Sequence, residues 1–331
     1  MNWSVYGFNG VLILLEDISF SIDPISIGFE GDVVLVSHAH GDHIVGLKSK
    51  KSKLTSHYTF KLYEAIVNRR INNSNVMFID DRRINVGEIC LEAYDSGHIL
   101  GSLQFRFEKL SSSIVYTGDF NLIDTTITRR CKILDCDELI IDATYGNPNI
   151  SFPDRWSIYE NLISFVESCT KNGKPPVFKV YAIGKAQEII ALINKFLNME
   201  VLVDSKISRI NDVYRSNGFD LKYISILSDE GIESLNSLSL PIVTSSNRLF
   251  RMAADKGMPK ATATGWALIH NLTDFDVSFP LSSHADFNQI KMYVEESKAK
   301  RIYPYGRFSR RFSKWIERNM NIYCKPLYYL V

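Results

Sequence analysis

The chain has 331 residues, 45% hydrophobic and 23% charged, the balance of a globular protein with room for about two domains. Its 38 Lys and Arg face 37 Asp and Glu, so the formal charge is +1 and a polyanionic partner has to be met by local clusters. No apolar run approaches the ~20 residues of a membrane span, and five cysteines without a CxxC pair point to free thiols in a reducing cytoplasm.

Ile18-Ser19-Phe20-Ser21-Ile22 alternates as a strand does and is followed by Asp23. Val33-Val34-Leu35-Val36 is a second strand, and it runs into His38-Ala39-His40-Gly41-Asp42-His43. Gly41 permits a sharp bend, so a loop at a strand end can aim three imidazoles and a carboxylate at one point. These are the nitrogen and oxygen donors that zinc takes at ~2.0–2.2 Å. Lys48, Lys50, Lys51 and Lys53 follow directly and are the candidate contacts for a substrate phosphate. Tyr58 to Arg70 lacks breakers and predicts a helix. His98 lies in Asp95-Ser96-Gly97-His98-Ile99-Leu100-Gly101-Ser102, and Ile114-Val115-Tyr116 leads to Thr117-Gly118-Asp119. At least four short strands thus deliver a His or Asp at or just beyond their ends, as a metal site on the rim of a sheet requires. With no paired cysteines, that site does not use sulfur.

Beyond Gly146-Asn147-Pro148 the pattern changes. Asp154 caps a helix in which Ile158, Leu162, Phe165 and Val166 recur at helical spacing, ending at Asn172-Gly173. Val177 to Ile183 predicts a strand. Gly184-Lys185 turns into a helix carrying Ile189, Ile190, Ile193 and Leu197, and Val201-Leu202-Val203 and Ile242-Val243-Thr244 are further strands. This alternation argues a parallel sheet covered by helices. At the Gly184-Lys185-Ala186 turn, backbone N–H groups and Lys185 could meet a phosphate, although the spacing is not that of a P-loop. His284 precedes a helix predicted over Asp286–Glu296. Residues 1–147 and 272–331 read as one discontinuous domain and 148–271 as a domain inserted into it. A late basic run comprises Arg307, Arg310, Arg311 and Lys314.

The order Asp23, HxHxDH, the Gly-His of SGHILGS and the Gly-Asp of YTGDF resembles the metallo-β-lactamase superfamily. Asp142-Ala143-Thr144-Tyr145-Gly146 and Ser283-His284-Ala285-Asp286 resemble its nucleic-acid-processing branch, the β-CASP nucleases. FSIDP, YAIGKAQ, ATGWAL and PLSSHADF are most similar to the ligase-associated DNA exonucleases, with archaeal messenger-RNA 3′-end processing nucleases close behind. The resemblance implies an α/β fold, a metallo-β-lactamase αββα sandwich with an inserted α/β β-CASP domain. It implies that His38, His40 and His98 hold a first zinc and that Asp42, His43 and Asp119 face a second, with Asp119 bridging. Asp23 then orients the loop histidines, and the catalytic set is His284 as proton donor, Asp142 hydrogen-bonded to it, and Asp42.

At one place the chain departs from that pattern. In Tyr303-Pro304-Tyr305-Gly306, Tyr305 stands where relatives with two full metal sites carry a histidine. A phenol of pKa ~10 is a poor ligand unless it ionises. One tightly held zinc is therefore expected, with a weaker second site open to manganese or magnesium. The expected function is a zinc-dependent exonuclease of DNA in processing or repair, the tilt to DNA resting on Tyr305 and on the ligase-associated likeness. The alternative is an RNA-processing nuclease of the 3′-end type. Six candidate ligands and His284 argue against a non-catalytic scaffold. The inserted domain, with the DATYG and SSHAD segments, argues against a small-molecule metallohydrolase.

Overall fold

The computed structural model describes residues 3–15, 18–28, 30–80 and 82–328. Two sheets lie face to face. The first runs Ser4–Gly7, Val11–Leu15, Ile18–Ile22, Val33–Leu35, Ser52–Thr55, Val76–Phe78 in spatial order. The second runs Tyr323–Cys324, Arg301–Tyr305, Glu138–Asp142, Ser112–Tyr116, Leu103–Lys109, Ile89–Asp95, Arg83–Val86.

Period-two alternation builds the layers. Leu35 and Phe20 point between the sheets, where they join Phe105, Phe107, Tyr116, Ile140, Tyr303 and Tyr305 in one core. The Phe20 and Phe107 rings meet edge-on at 5.1 Å. The intervening residues face outward. Val34 and Val36 pack under the helix His57–Val67, through Phe60, Leu62 and Tyr63. On the far side Val115, Leu139, Ile141 and Ile302 are covered by the helices Phe287–Ser297 and Ser309–Asn319, through Ile290, Tyr293, Val294, Phe312 and Ile316. The result is an αββα sandwich.

A third sheet, all parallel, runs Tyr223–Ser225, Val201–Val203, Ile242–Thr244, Val177–Lys179, Lys260–Ala263, Val277–Phe279. Its last strand lies past residue 271 because it pairs with Lys260–Ala263. The helices Arg155–Lys171, Lys185–Leu197 and Ser205–Arg215 share an apolar cluster with the helix His57–Val67, so this layer packs directly on the sandwich. Gly184 allows the closest approach: its φ is +79°, and a Cβ there would stand 2.5 Å from Ile99 Cγ2.

Local chemistry sets most boundaries. The helix expected over Tyr58 to Arg70 occupies His57–Val67, between Ser56, whose side chain accepts from Thr59 N, and Asn68 in the left-handed region. Asp154 caps Arg155–Lys171, as expected. Asp286 caps Phe287–Ser297, so the helix begins after it. The strand expected over residues 177–183 stops at Lys179. Ala182 to Gly184 turn instead, which brings the Ile183 carbonyl to His40.

Candidate metal centre

Parallel neighbours finish on the same edge of a sheet. Ile18–Ile22 and Val33–Leu35 are parallel, and so are Ser112–Tyr116, Glu138–Asp142 and Arg301–Tyr305. Asp23, the histidine loop, Asp119, Asp142 and Tyr305 therefore gather along one rim, and a cavity of about 560 Å³ opens there.

Asp23 sits deepest. It accepts from Ser37 N at 2.7 Å, Ser37 Oγ at 2.6 Å, Tyr116 OH at 2.8 Å and His43 Nδ1 at 2.9 Å. Four donors saturate a carboxylate. Since the Ser37 hydroxyl gives its proton to Asp23, His38 Nδ1 must donate to Ser37 Oγ, at 2.9 Å. His98 Nδ1 donates to the Ser283 carbonyl at 2.9 Å, and His40 Nε2 donates to the Ile183 carbonyl at 3.4 Å. Each ring's remaining nitrogen is then a bare lone pair.

Those lone pairs converge. His40 Nδ1 lies 3.1 Å from His38 Nε2 and 3.0 Å from His98 Nε2. Asp119 Oδ2 lies 3.4 Å from His38 Nε2 and 3.7 Å from His98 Nε2. With no proton to share, the group repels itself unless a cation sits at its centre. A tetrahedral ion with bonds of ~2.0–2.1 Å holds its ligands ~3.3–3.4 Å apart, so the donor set fits one divalent ion. Burial keeps the three imidazoles below their ordinary range, His40 at about 4, and so in the neutral form that binds metal. Burial pushes Asp119 up to about 6 against the pull of His284 and His43.

A second group flanks the first. His43 Nε2 lies 3.6 Å from Asp42 Oδ2 and 3.7 Å from Asp119 Oδ2. Burial opposes its charge, yet Asp119, Asp23 and Asp42 together raise it to about 10, so a cation taken up at Nε2 displaces a proton there. The Asp42 side chain is 79% exposed at the rim. Tyr305 is buried and stacked on Tyr116 at 5.4 Å, so a flat phenol occupies this side of the cavity. His284 donates from Nδ1 to Asp142 Oδ2 at 2.8 Å and points Nε2 at Asp119, 3.7 Å away. Burial disfavours its charge, but Asp119 and then Asp142 raise it to about 9; a cation held by Asp119 would leave Asp142 as the group that sustains the charge.

The lysines after the loop do not reach this cavity. Lys53 is buried, its Nζ donating to the Ser49 carbonyl at 2.6 Å and the Lys51 carbonyl at 3.3 Å. Lys51 Nζ donates to the Glu30 carbonyl at 2.7 Å, and Lys48 and Lys50 are exposed elsewhere. Lys50, Lys51 and Lys53 stand at the beginning of Ser52–Thr55, whose parallel partner Val33–Leu35 carries the histidines at its end, so they lie toward the opposite edge. Lys185 does line the cavity.

Sequence reading missed the grip of the third layer on the His284 loop. Arg155, immediately after its cap, donates to the Ser282 carbonyl at 2.9 Å and to Glu188 Oε1 at 3.1 Å. Tyr159 OH also donates to Glu188. Lys185 Nζ bonds Glu188 Oε2 at 2.7 Å and Ser283 Oγ at 3.2 Å. Burial raises Glu188, but Arg155 and Lys185 outweigh it and hold the carboxyl at about 2. Burial lowers Lys185 to about 8; Glu188 opposes that shift, and repulsion from the nearby Arg155 charge adds to it. Glu188 thus stabilises the fold above its ordinary pKa of 4.5, and that contribution is lost as pH falls through about 2. Glu188→Gln strands two buried cations and is expected to cost ~3–5 kcal/mol by denaturant unfolding at neutral pH. A loss under ~1 kcal/mol, the scale of exposed pairs, would refute the buried network.

No family model matches the chain. It is 30% identical over 216 residues to an RNase J-like protein of Methanocaldococcus jannaschii, covering 59% of this chain and 51% of that protein. It is 24% identical over 295 residues to a probable DNA ligase of Opitutus terrae, covering 84% of this chain and 27% of the ligase. Cleavage and polyadenylation specificity factor subunit 3 of Dictyostelium discoideum is 24% identical over 355 residues, covering 80% of this chain and 45% of that protein. The chain thus spans about half or less of the length of these curated relatives. A crystal structure of a protein of unknown function from Enterococcus faecalis matches with a TM-score of 0.60 at 14% identity, over 91% of this chain and 92% of that one. No helix among the described residues is long and apolar enough to cross a membrane.

Proposed function

The chain belongs to the β-CASP branch of the metallo-β-lactamase superfamily, and from that premise we propose that it is a zinc-dependent nuclease acting on the phosphodiester bonds of DNA, as an exonuclease. The observation that carries the reading is the convergence of three imidazole lone pairs and Asp119 on one point, beside the acid His284. We assign the segment from residue 148 through the strand Val277–Phe279 as the inserted β-CASP unit, closing over the rim of the sandwich.

His38, His40, His98 and Asp119 form the tight metal cage; His43, Asp42 and the shared Asp119 form a weaker one. Ions bound there supply Lewis acidity toward a phosphate and lower the pKa of water. Asp23, acting through Ser37 and His43, fixes the ring orientations. His284 delivers its Nε2 proton to the leaving oxygen, and Asp142 holds the ring and keeps it charged. Lys185 offers the positive charge that one carboxylate shared with Arg155 cannot neutralise, and faces a phosphate in the cavity.

DNA is favoured by Tyr305 and by the ligase relatives, whereas the RNase J-like relative motivates RNA as the second reading. End-labelled single-stranded DNA and RNA of one sequence, incubated with and without chelator, test this. The proposal expects DNA to be cleaved at least as fast as RNA, and chelator to stop both. Cleavage of RNA alone would replace DNA with the second reading. Tyr305→His is expected to raise zinc retained after dialysis from about one toward two per chain, by giving the weaker cage an imidazole. Two retained zincs in the wild type would show that the weaker cage is already complete.

A further inference from the structure

The metal cage leaves two features unused, the aromatic wall of the cavity and the late basic run. Trp266 lies in the short turn Gly265–Leu268 and lines the cavity. Its ring is 4.9 Å from that of Tyr145, which is 6.0 Å from His284. The packing leaves no room for a side chain at Gly265, where a Cβ would stand 2.4 Å from the Tyr145 hydroxyl. On the outer side, the Arg307 guanidinium lies 5.2 Å over Trp266. Arg307 follows Gly306, itself part of the cavity wall. The helix Ser309–Asn319 then buries Phe312, Ser313 and Ile316 and exposes Arg310, Arg311 and Lys314. Among the described residues none of these four cations is ion-paired with a carboxylate; Arg310 stacks on Tyr328 at 4.6 Å.

Resting on the nuclease reading above, we propose that this face is the subsite for the leaving strand of a single-stranded nucleic acid. The base next to the scissile phosphate takes the place of the Arg307 guanidinium on the Trp266 ring, and the displaced Arg307, with Arg310, Arg311 and Lys314, meets the phosphates beyond it. The side is set by His284: the donor protonates the leaving oxygen, and the aromatic pair Tyr145 and Trp266 continues outward from that ring. An indole offers its face to any base, which gives affinity without sequence preference, but only to a base free of its complement. The four cations supply the local positive field that a net charge of +1 does not.

The test reads binding without turnover. Fluorescein-labelled dT12 is titrated against the chelated protein by anisotropy across a salt series, with thermal unfolding of each variant as a check on folding. Combining Arg307→Ala, Arg311→Ala and Lys314→Ala is expected to weaken binding and to flatten the salt slope by about 2, at ~0.7 per phosphate contact on a single strand. Trp266→Leu is expected to weaken binding about tenfold with the slope unchanged, and Trp266→Phe to restore most of it. Combining Lys48→Ala and Lys50→Ala is expected to change neither. Wild-type affinity and slope in the triple variant, or a slope that falls only with the Lys48 and Lys50 pair, would overturn the subsite. Because no cleavage is measured, a protein that binds as described but never cuts would refute the nuclease reading alone.

Discussion

Replacing His284 with alanine is expected to lower turnover by about 10²–10⁴-fold, the usual scale for a lost general acid, with metal content unchanged. The ring has one nitrogen committed to Asp142 at 2.8 Å and the other facing the cage, 3.7 Å from Asp119. That geometry serves a proton donor, and it could also serve a ligand. Elemental analysis of the variant separates the two, because loss of zinc would make His284 a ligand. The pH profile adds an independent sign. Asp142 helps raise the imidazole above its ordinary 6.5, so Asp142→Asn lowers its pKa and moves the alkaline limb of kcat toward lower pH. His284→Ala abolishes that limb.

Asp119→Ala is expected to lose both metal and activity, with metal affinity falling by more than the ~10–100-fold typical of outer-shell changes. Among the described residues Asp119 is the one carboxylate within 4 Å of His38, His43, His98 and His284 alike. Without it the tight cage keeps three neutral imidazoles and no charge to balance a dication, and the weaker cage loses its shared ligand. Isothermal titration of the chelated variant with zinc measures the first effect, and cleavage of labelled DNA the second. A variant that binds zinc as tightly as the wild type would remove Asp119 from the ligand set.

The metal loop was legible because its information is local. Short strands with His or Asp just past their ends set Asp23 and His38 on one edge of the first sheet, and Asp119 and Asp142 on one edge of the second, once the strands pair in parallel. The same parallel pairing misled the reading of Lys53. Ten residues after His43 it looks close, but it lies near the start of its strand, and its ammonium serves the Ser49 and Lys51 carbonyls. The apolar run from Val177 to Ile183 could not reveal that its last residues must turn to give His40 a carbonyl partner. Ser37 carried a faint signal, a hydroxyl directly before the histidines. Arg155 and Glu188 carried none, because only the fold brings them together, 33 positions apart.

One zinc in the His38, His40, His98 and Asp119 cage is expected to drive phosphodiester hydrolysis. The direct measurement is a zinc titration of chelated protein in which bound metal and the rate of single-stranded DNA cleavage are followed together. The expected result is no cleavage at zero zinc, a rate that rises with the first equivalent as it binds tightly, and no comparable rise in His98→Ala. Cleavage that persists in the metal-free protein, or a fully zinc-loaded protein that cuts neither DNA nor RNA, would contradict it.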